Sequence, residues 1–130
     1  MNTTRITLYS QHCTGSANDC RTNISANLLP GDYQLAVESF TINANHPCVV
    51  SAHGIFAQDS WDNSVKGEQT NLLTCHHSNS FFHSVSKDTI GFKVIPNINN
   101  QTLFIKVRNL AGNAHESVTN WVMTLVIFPL

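Results

Sequence analysis

Residues 121–130 read WVMTLVIFPL, and the alternation inside this run points to the fold class. A strand sends successive side chains to opposite faces. On that period Trp121, Met123, Leu125 and Ile127 share one face, and Val122, Thr124, Val126 and Phe128 share the other. Both faces are largely apolar, whereas a sandwich strand with one wet face alternates more cleanly. The first set is therefore expected to fill a core. The second set, Val122, Val126 and Phe128 together with Leu130, is expected to meet a neighbouring subunit or loop, with Phe128 buried only in an assembled particle. The run is shorter than the ~18 apolar residues of a spanning helix, and a lone strand cannot satisfy its backbone in lipid, so no membrane span is expected.

The same strand-length rhythm extends back through the chain, and helical periodicity is nearly absent outside the short stretch LAGNAHESV. Strands are expected over residues 5–11, 22–29, 33–43, 48–56, 68–75, 81–86, 89–95, 102–109 and 120–128, separated by Asn, Gly, Pro, Ser and Asp. LPGDY puts Pro30 and Gly31 at a tight reversal, PNINNQ precedes the strand at Thr102, and NANHP ends the long strand at Asn43. Within YQLAVESFTIN (33–43), Leu35 and Val37 point one way but Phe40 and Ile42 the other. A bulge or bend is expected near Glu38 and Ser39, where a long strand leaves one sheet for another. Ile90, Phe92 and Val94 keep one face, as do Leu103, Ile105 and Val107 with Lys106 and Arg108 opposite, so these two strands read as half-buried. The expected fold is all-β: one domain, residues 1–130, an antiparallel β-sandwich with unequal loops that favour Greek-key connections.

The chain carries a formal net charge of -1, with 12% charged residues against the usual ~25%. Its seven Lys and Arg residues are scattered rather than clustered, so direct nucleic-acid binding is not expected. A nearly uncharged polar surface suits a subunit of a packed assembly. MNTTRITLYS lacks the basic and apolar blocks of a secretory signal. Cys13, Cys20, Cys48 and Cys75 match no zinc spacing, so reduced, partly buried thiols are expected. Cys13 and Cys20 bracket a Gly/Ser/Asn loop and have the placement to close a bridge in an oxidising compartment. Sequons start at Asn2, Asn23 and Asn100, as chance allows in an Asn-rich chain.

Three constellations invite chemistry. TCHHSNSFFH carries Cys75, His76, His77 and His83, a possible zinc or cupin-like set. His76 and His77 are adjacent, however, and on a strand they face opposite ways with no acid close behind, so a polar His-rich strand end is the plainer reading. The same divergence weakens Cys75 as a nucleophile beside a histidine base. Asp59, Asp62 and Glu68 surround Trp61, as in a sugar-stacking loop, although a Trp packed on its own strands explains it as well. No catalytic residue, metal or cofactor is expected, and the chain does not read as an enzyme.

The early strand in LPGDYQLAVESFTINANHP and the closing pair FIKVRNLAGNAHESVTNWVMTLVIFPL resemble viral single jelly-roll capsid proteins. The likeness is to the penton or minor capsid proteins of double-jelly-roll DNA viruses, including virophages and polinton-like elements. It rests on the final hairpin: an apolar strand (Leu103 to Val107), a loop opened by Asn109, Ala111 and Gly112, then a Trp-led strand (Trp121 to Phe128). The resemblance implies an eight-stranded jelly roll of two four-stranded sheets. It also implies a homopentamer at the five-fold vertices of an icosahedral virion, packed against the major capsid protein and other minor capsid proteins. Such a subunit is made in the host cytoplasm or nucleus. The basic arms or inserted spike domain of many pentons are missing here, which puts genome and receptor contact in doubt. The rival readings are a lectin-like carbohydrate-binding sandwich using Trp61, Tyr33 and the Asn-rich loops, and a small cupin-like metalloprotein.

Overall fold

The computed structural model describes residues 3–43, 47–58, 60, 61, 63, 69–76 and 92–130, and among these it contains ten strands and no α-helix. The strands are β1 (Thr4–Tyr9), β2 (Thr14–Ser16), β3 (Asp19–Ile24), β4 (Tyr33–Asn43), β5 (Cys48–His53), β6 (Ser60–Trp61), β7 (Gln69–His76), β8 (Phe92–Lys93), β9 (Gln101–Arg108) and β10 (Asn120–Pro129). They form two antiparallel sheets, ordered β1-β10-β4-β8 and β2-β3-β9-β5-β7-β6. The three-residue β2 and the two-residue β6 are short edge additions to the second sheet. Without them each layer has four strands, and the molecule is the expected β-sandwich.

The pairing is nested. β1 pairs with β10, β3 with β9, β4 with β8 and β5 with β7, so each strand of the first half meets its mirror position in the second. This is the pattern of one long hairpin rolled up into two Greek keys, the jelly-roll topology. The roll is stitched along one seam, where Ala57 N–H donates to the Lys93 carbonyl at 2.9 Å and Ile95 N–H to the Ile55 carbonyl at 2.9 Å. Those bonds cover the edge of β8, which otherwise presents unpaired backbone groups.

The core lies between the layers, and parity along the strands put its members there. Leu35, Phe40, Leu103, Ile105, Val107, Met123, Leu125 and Ile127 are all fully buried, and Trp121 nearly so. Trp121 tilts against Phe40 with ring centroids 6.4 Å apart, while its Nε1–H donates to the Ala17 carbonyl at 2.8 Å. A buried indole needs such an acceptor for its single donor.

The expected irregularity of β4 is a bulge. Ser39 opposes Thr124 and Val37 opposes Leu125, leaving Glu38 as the unmatched residue. The extra residue returns Phe40 and Ile42 to the side already occupied by Leu35 and Val37, so all four face the core. The strand does not, however, change sheets. It stays beside β10 from Tyr33 to Asn43, and the parity flip is absorbed by the bulge alone.

Other boundaries differ for local reasons. The strand expected over 5–11 ends at Tyr9, and Ser10–His12 form a 3-10 turn whose Ser10 carbonyl accepts from Cys13 N–H at 3.1 Å. The strand expected over 22–29 is β3 over Asp19–Ile24, because Ala26 N–H turns to the Ile98 carbonyl at 2.8 Å instead of continuing the ladder. β5 stops at His53, since Gly54 at φ 117° redirects the chain toward β8. The short strands β2 and β6 carry too few residues to show a period. LAGNAHESV forms no helix; Ala114 bridges back to Arg108. Arg108 is buried and Lys106 partly so, which means the outer face of β9 is more covered than a half-buried strand requires. The strand expected over 81–86, Ile90, and residues 44–46 of NANHP lie outside the described residues.

Candidate functional site

The residues expected to meet a neighbour divide into two groups. On the outer face of β10, Val122 is half-buried, but Val126 is only 3% and Phe128 8% exposed within the single chain. The expectation that Phe128 is buried only on assembly is therefore corrected. Neither residue belongs to the intersheet core; the cross-strand neighbours of Val126 are Arg5 and Ala36, and that of Phe128 is Gln34. An apolar outer face on β10 thus signals cover supplied within the chain. Leu130 is different: it is 67% exposed, and its N–H donates to the Asp32 carbonyl at 3.0 Å.

That bond fixes Leu130 beside the loop carrying Leu29, which is also exposed. Strand directions bring the end of β5, the start of β7 and the edge strand β6 to the same end of the sandwich. Trp61 of β6 is 65% exposed there. Leu29, Trp61 and Leu130 are three of the five large apolar side chains that stand exposed among the described residues; Tyr9 and Leu110 are the others, at the opposite end.

The rival constellations fare unevenly. Cys75 and His76 are the last two residues of β7, and His77 and His83 lie outside the described residues. No group of three or more His, Cys, Asp or Glu side chains suited to a metal occurs among the described residues. Tyr33 is 4% exposed and so contributes no ligand surface, which removes one residue of the lectin-like set. Trp61 does stand out from its own strands rather than packing on them. Asp59, Asp62 and Glu68 lie outside the described residues.

At the Tyr9 and Leu110 end, the loop from β9 to β10 surrounds an open hollow of about 730 Å³ lined by Asn109, Asn113, Ala114, His115, Glu116 and Ser117. Its geometry comes from one side chain. Asn109 Oδ1 accepts from the N–H groups of Ala111 and Asn113 at 3.0 and 3.1 Å, an Asn-directed turn that Gly112 at φ 85° completes. His115 is 2% exposed; its N–H donates to the Val107 carbonyl at 3.0 Å and its carbonyl accepts from Asn18 Nδ2 at 3.1 Å. Its Nδ1 shares a hydrogen bond with Ser117 Oγ at 3.2 Å. A hydroxyl against an imidazole has the atoms of a nucleophile and its base, but both lie in one loop that their bond also orders. Sequence reasoning passed over His115. Nothing in LAGNAHESV separates a buried histidine from an exposed one, and the Asn18 that bonds its carbonyl lies ninety-seven positions away.

No family model, no curated protein and no solved structure matches the chain. The class of protein is thus set by the fold: an all-β sandwich with jelly-roll strand order.

Proposed function

We propose that the chain is a structural subunit of an icosahedral capsid, the penton at the five-fold vertices, packing as a homopentamer against the major capsid protein in the virion. The nested pairing β1·β10, β3·β9, β4·β8 and β5·β7 carries this reading, because it is the architecture that the resemblance of the closing hairpin implied. A fold hosts many functions, so the weight falls on assembly. In this reading Leu29 and Leu130, held on one rim, form part of the subunit contact, a role that Val126 and Phe128 are too covered to share. Native mass spectrometry of the purified chain, alone and with the major capsid protein, tests it. A closed pentamer or a stable complex supports the proposal, and a persistent 14.4 kDa monomer under both conditions overturns it.

The exposure of Trp61 favours a second reading, carbohydrate binding by aromatic stacking. Quenching or shifting of Trp fluorescence by a glycan, lost in Trp61→Ala, supports that alternative; a glycan array without a hit disposes of it.

A further inference from the structure

We infer that Cys13 and Cys20 are the two halves of an intramolecular disulfide that forms when the folded chain meets a small-molecule disulfide such as oxidised glutathione. The inference goes beyond the capsid reading and does not depend on it. Both cysteines are free in the structure. β2 and β3 form a tight hairpin in which Thr14 faces Arg21 and Gly15 faces Cys20, so Cys13 sits one residue outside the ladder and close to its end. The 3-10 turn sets its direction: Cys13 N–H donates to the Ser10 carbonyl at 3.1 Å and its Sγ to the Tyr9 carbonyl at 3.4 Å. Cys20 is 3% exposed on the inner side of β3, and Cys13 packs against the same core cluster. Continued by one step, the register sets Cys13 opposite Thr22, diagonal to Cys20 and on the same face of the hairpin. Gly15 permits the closeness of the hairpin. At φ 112° it lacks the Cβ that would run into the Asp19 carbonyl oxygen.

The chemistry is two exchanges. Cys13, the more accessible thiol, loses its proton to solvent and attacks one sulfur of the glutathione disulfide; that S–S bond breaks and one glutathione thiolate leaves and is protonated. Cys20 then loses its proton and attacks Cys13 Sγ in the mixed disulfide, and the second glutathione leaves as its thiol. Two protein thiols become one disulfide, and the oxidant takes up the two electrons and two protons as two thiols. Burial raises the pKa of both cysteines, Cys20 to about 12, so the reaction is slow at neutral pH and quickens as the solution becomes alkaline.

The test incubates the full chain with oxidised glutathione at mildly alkaline pH, alkylates it and digests it without reduction. The expected result is a loss of ~2 Da in the intact mass. A peptide linking Cys13 to Cys20 should appear, with a rise of roughly 5–10 °C in the thermal midpoint from the closed loop. The Cys20→Ser variant should stall with glutathione on Cys13, and Cys13→Ser should leave Cys20 unmodified; circular dichroism checks that both remain folded. A Cys48→Ser, Cys75→Ser double variant should still form the bond. Full alkylation of all four thiols after incubation, a link to Cys48 or Cys75, or a glutathione adduct on Cys20 in the Cys13→Ser chain each overturns the inference.

Discussion

Arg5 on the first strand and Glu38 at the bulge of β4 form an ion pair at 2.8 Å that reaches over the intervening β10. The bulge makes the pair possible, since Glu38 opposes no residue of β10. Both side chains are substantially exposed, at 54% and 34%, and such pairs contribute little. Glu38→Ala should therefore cost less than ~1 kcal/mol in urea unfolding. Deleting Glu38 is a different experiment. It removes the extra residue and turns either Leu35 and Val37 or Phe40 and Ile42 to the outer face, so the deleted chain should fail to fold. A deletion mutant with a native near-UV spectrum would refute this account of the bulge.

Trp121 N–H donates to Ser10 Oγ at 2.9 Å, tying the start of β10 to the turn after β1. Ser10 is 7% exposed, so Ser10→Ala leaves a buried donor without its acceptor and should cost about 1–3 kcal/mol. Trp121→Phe keeps that backbone bond but loses the indole bond to the Ala17 carbonyl and opens space beside Phe40, and should cost more than Ser10→Ala. Equal midpoints for the two variants in denaturant would contradict that order.

Gly54 combines φ 117° with backbone at close quarters: a Cβ there would strike the Thr102 carbonyl oxygen. Gly54→Ala should lower stability by roughly 2–4 kcal/mol, the sum of left-handed strain and displaced backbone. Calorimetry of the variant gives the figure directly; a change below half a kcal/mol would mean that the chain relaxes around the added methyl at no cost.

Phe128 and Leu130 separate folding from assembly. Phe128→Ala should destabilise the isolated chain by about 2–4 kcal/mol, because its ring is already covered there. Leu130→Ser should stay within ~0.5 kcal/mol of the parent in the same assay while weakening any complex the chain forms. If Phe128→Ala unfolds at the parent's midpoint, the intrachain burial of its ring contributes nothing.

Alkaline pH should destabilise the reduced protein. The Cys20 thiol ionises near 9.0 when unfolded but is held protonated to about 12 in the fold. Between those values the unfolded chain binds fewer protons than the native one, so stability falls as pH rises through that window and is undiminished below it. Thermal midpoints measured at pH 8 and pH 10 should differ more for the parent than for Cys20→Ala. A difference as large in the variant would assign the loss to other groups.

Alternation of side chains along each strand was enough to name the all-β class, the inward sets of β9 and β10, and a bulge or bend near Glu38 and Ser39, because strand parity is a local property that the order of residues carries directly. β4 was legible to the residue, being bounded by the Pro30–Gly31 reversal and the polar run after Ile42. β2 and β6 were not, since two or three residues show no period. Parity also says only which way a side chain points. How much of the outer face of β10 its own chain covers was decided by packing, which buries Val126 and Phe128 and leaves Leu130 out. The nested pairing, the seam between residues 55–57 and β8 and the burial of His115 likewise came only with the tertiary structure. Each depends on which distant segments lie side by side, a choice made by burying all the inward faces at once and written in no single stretch of the chain.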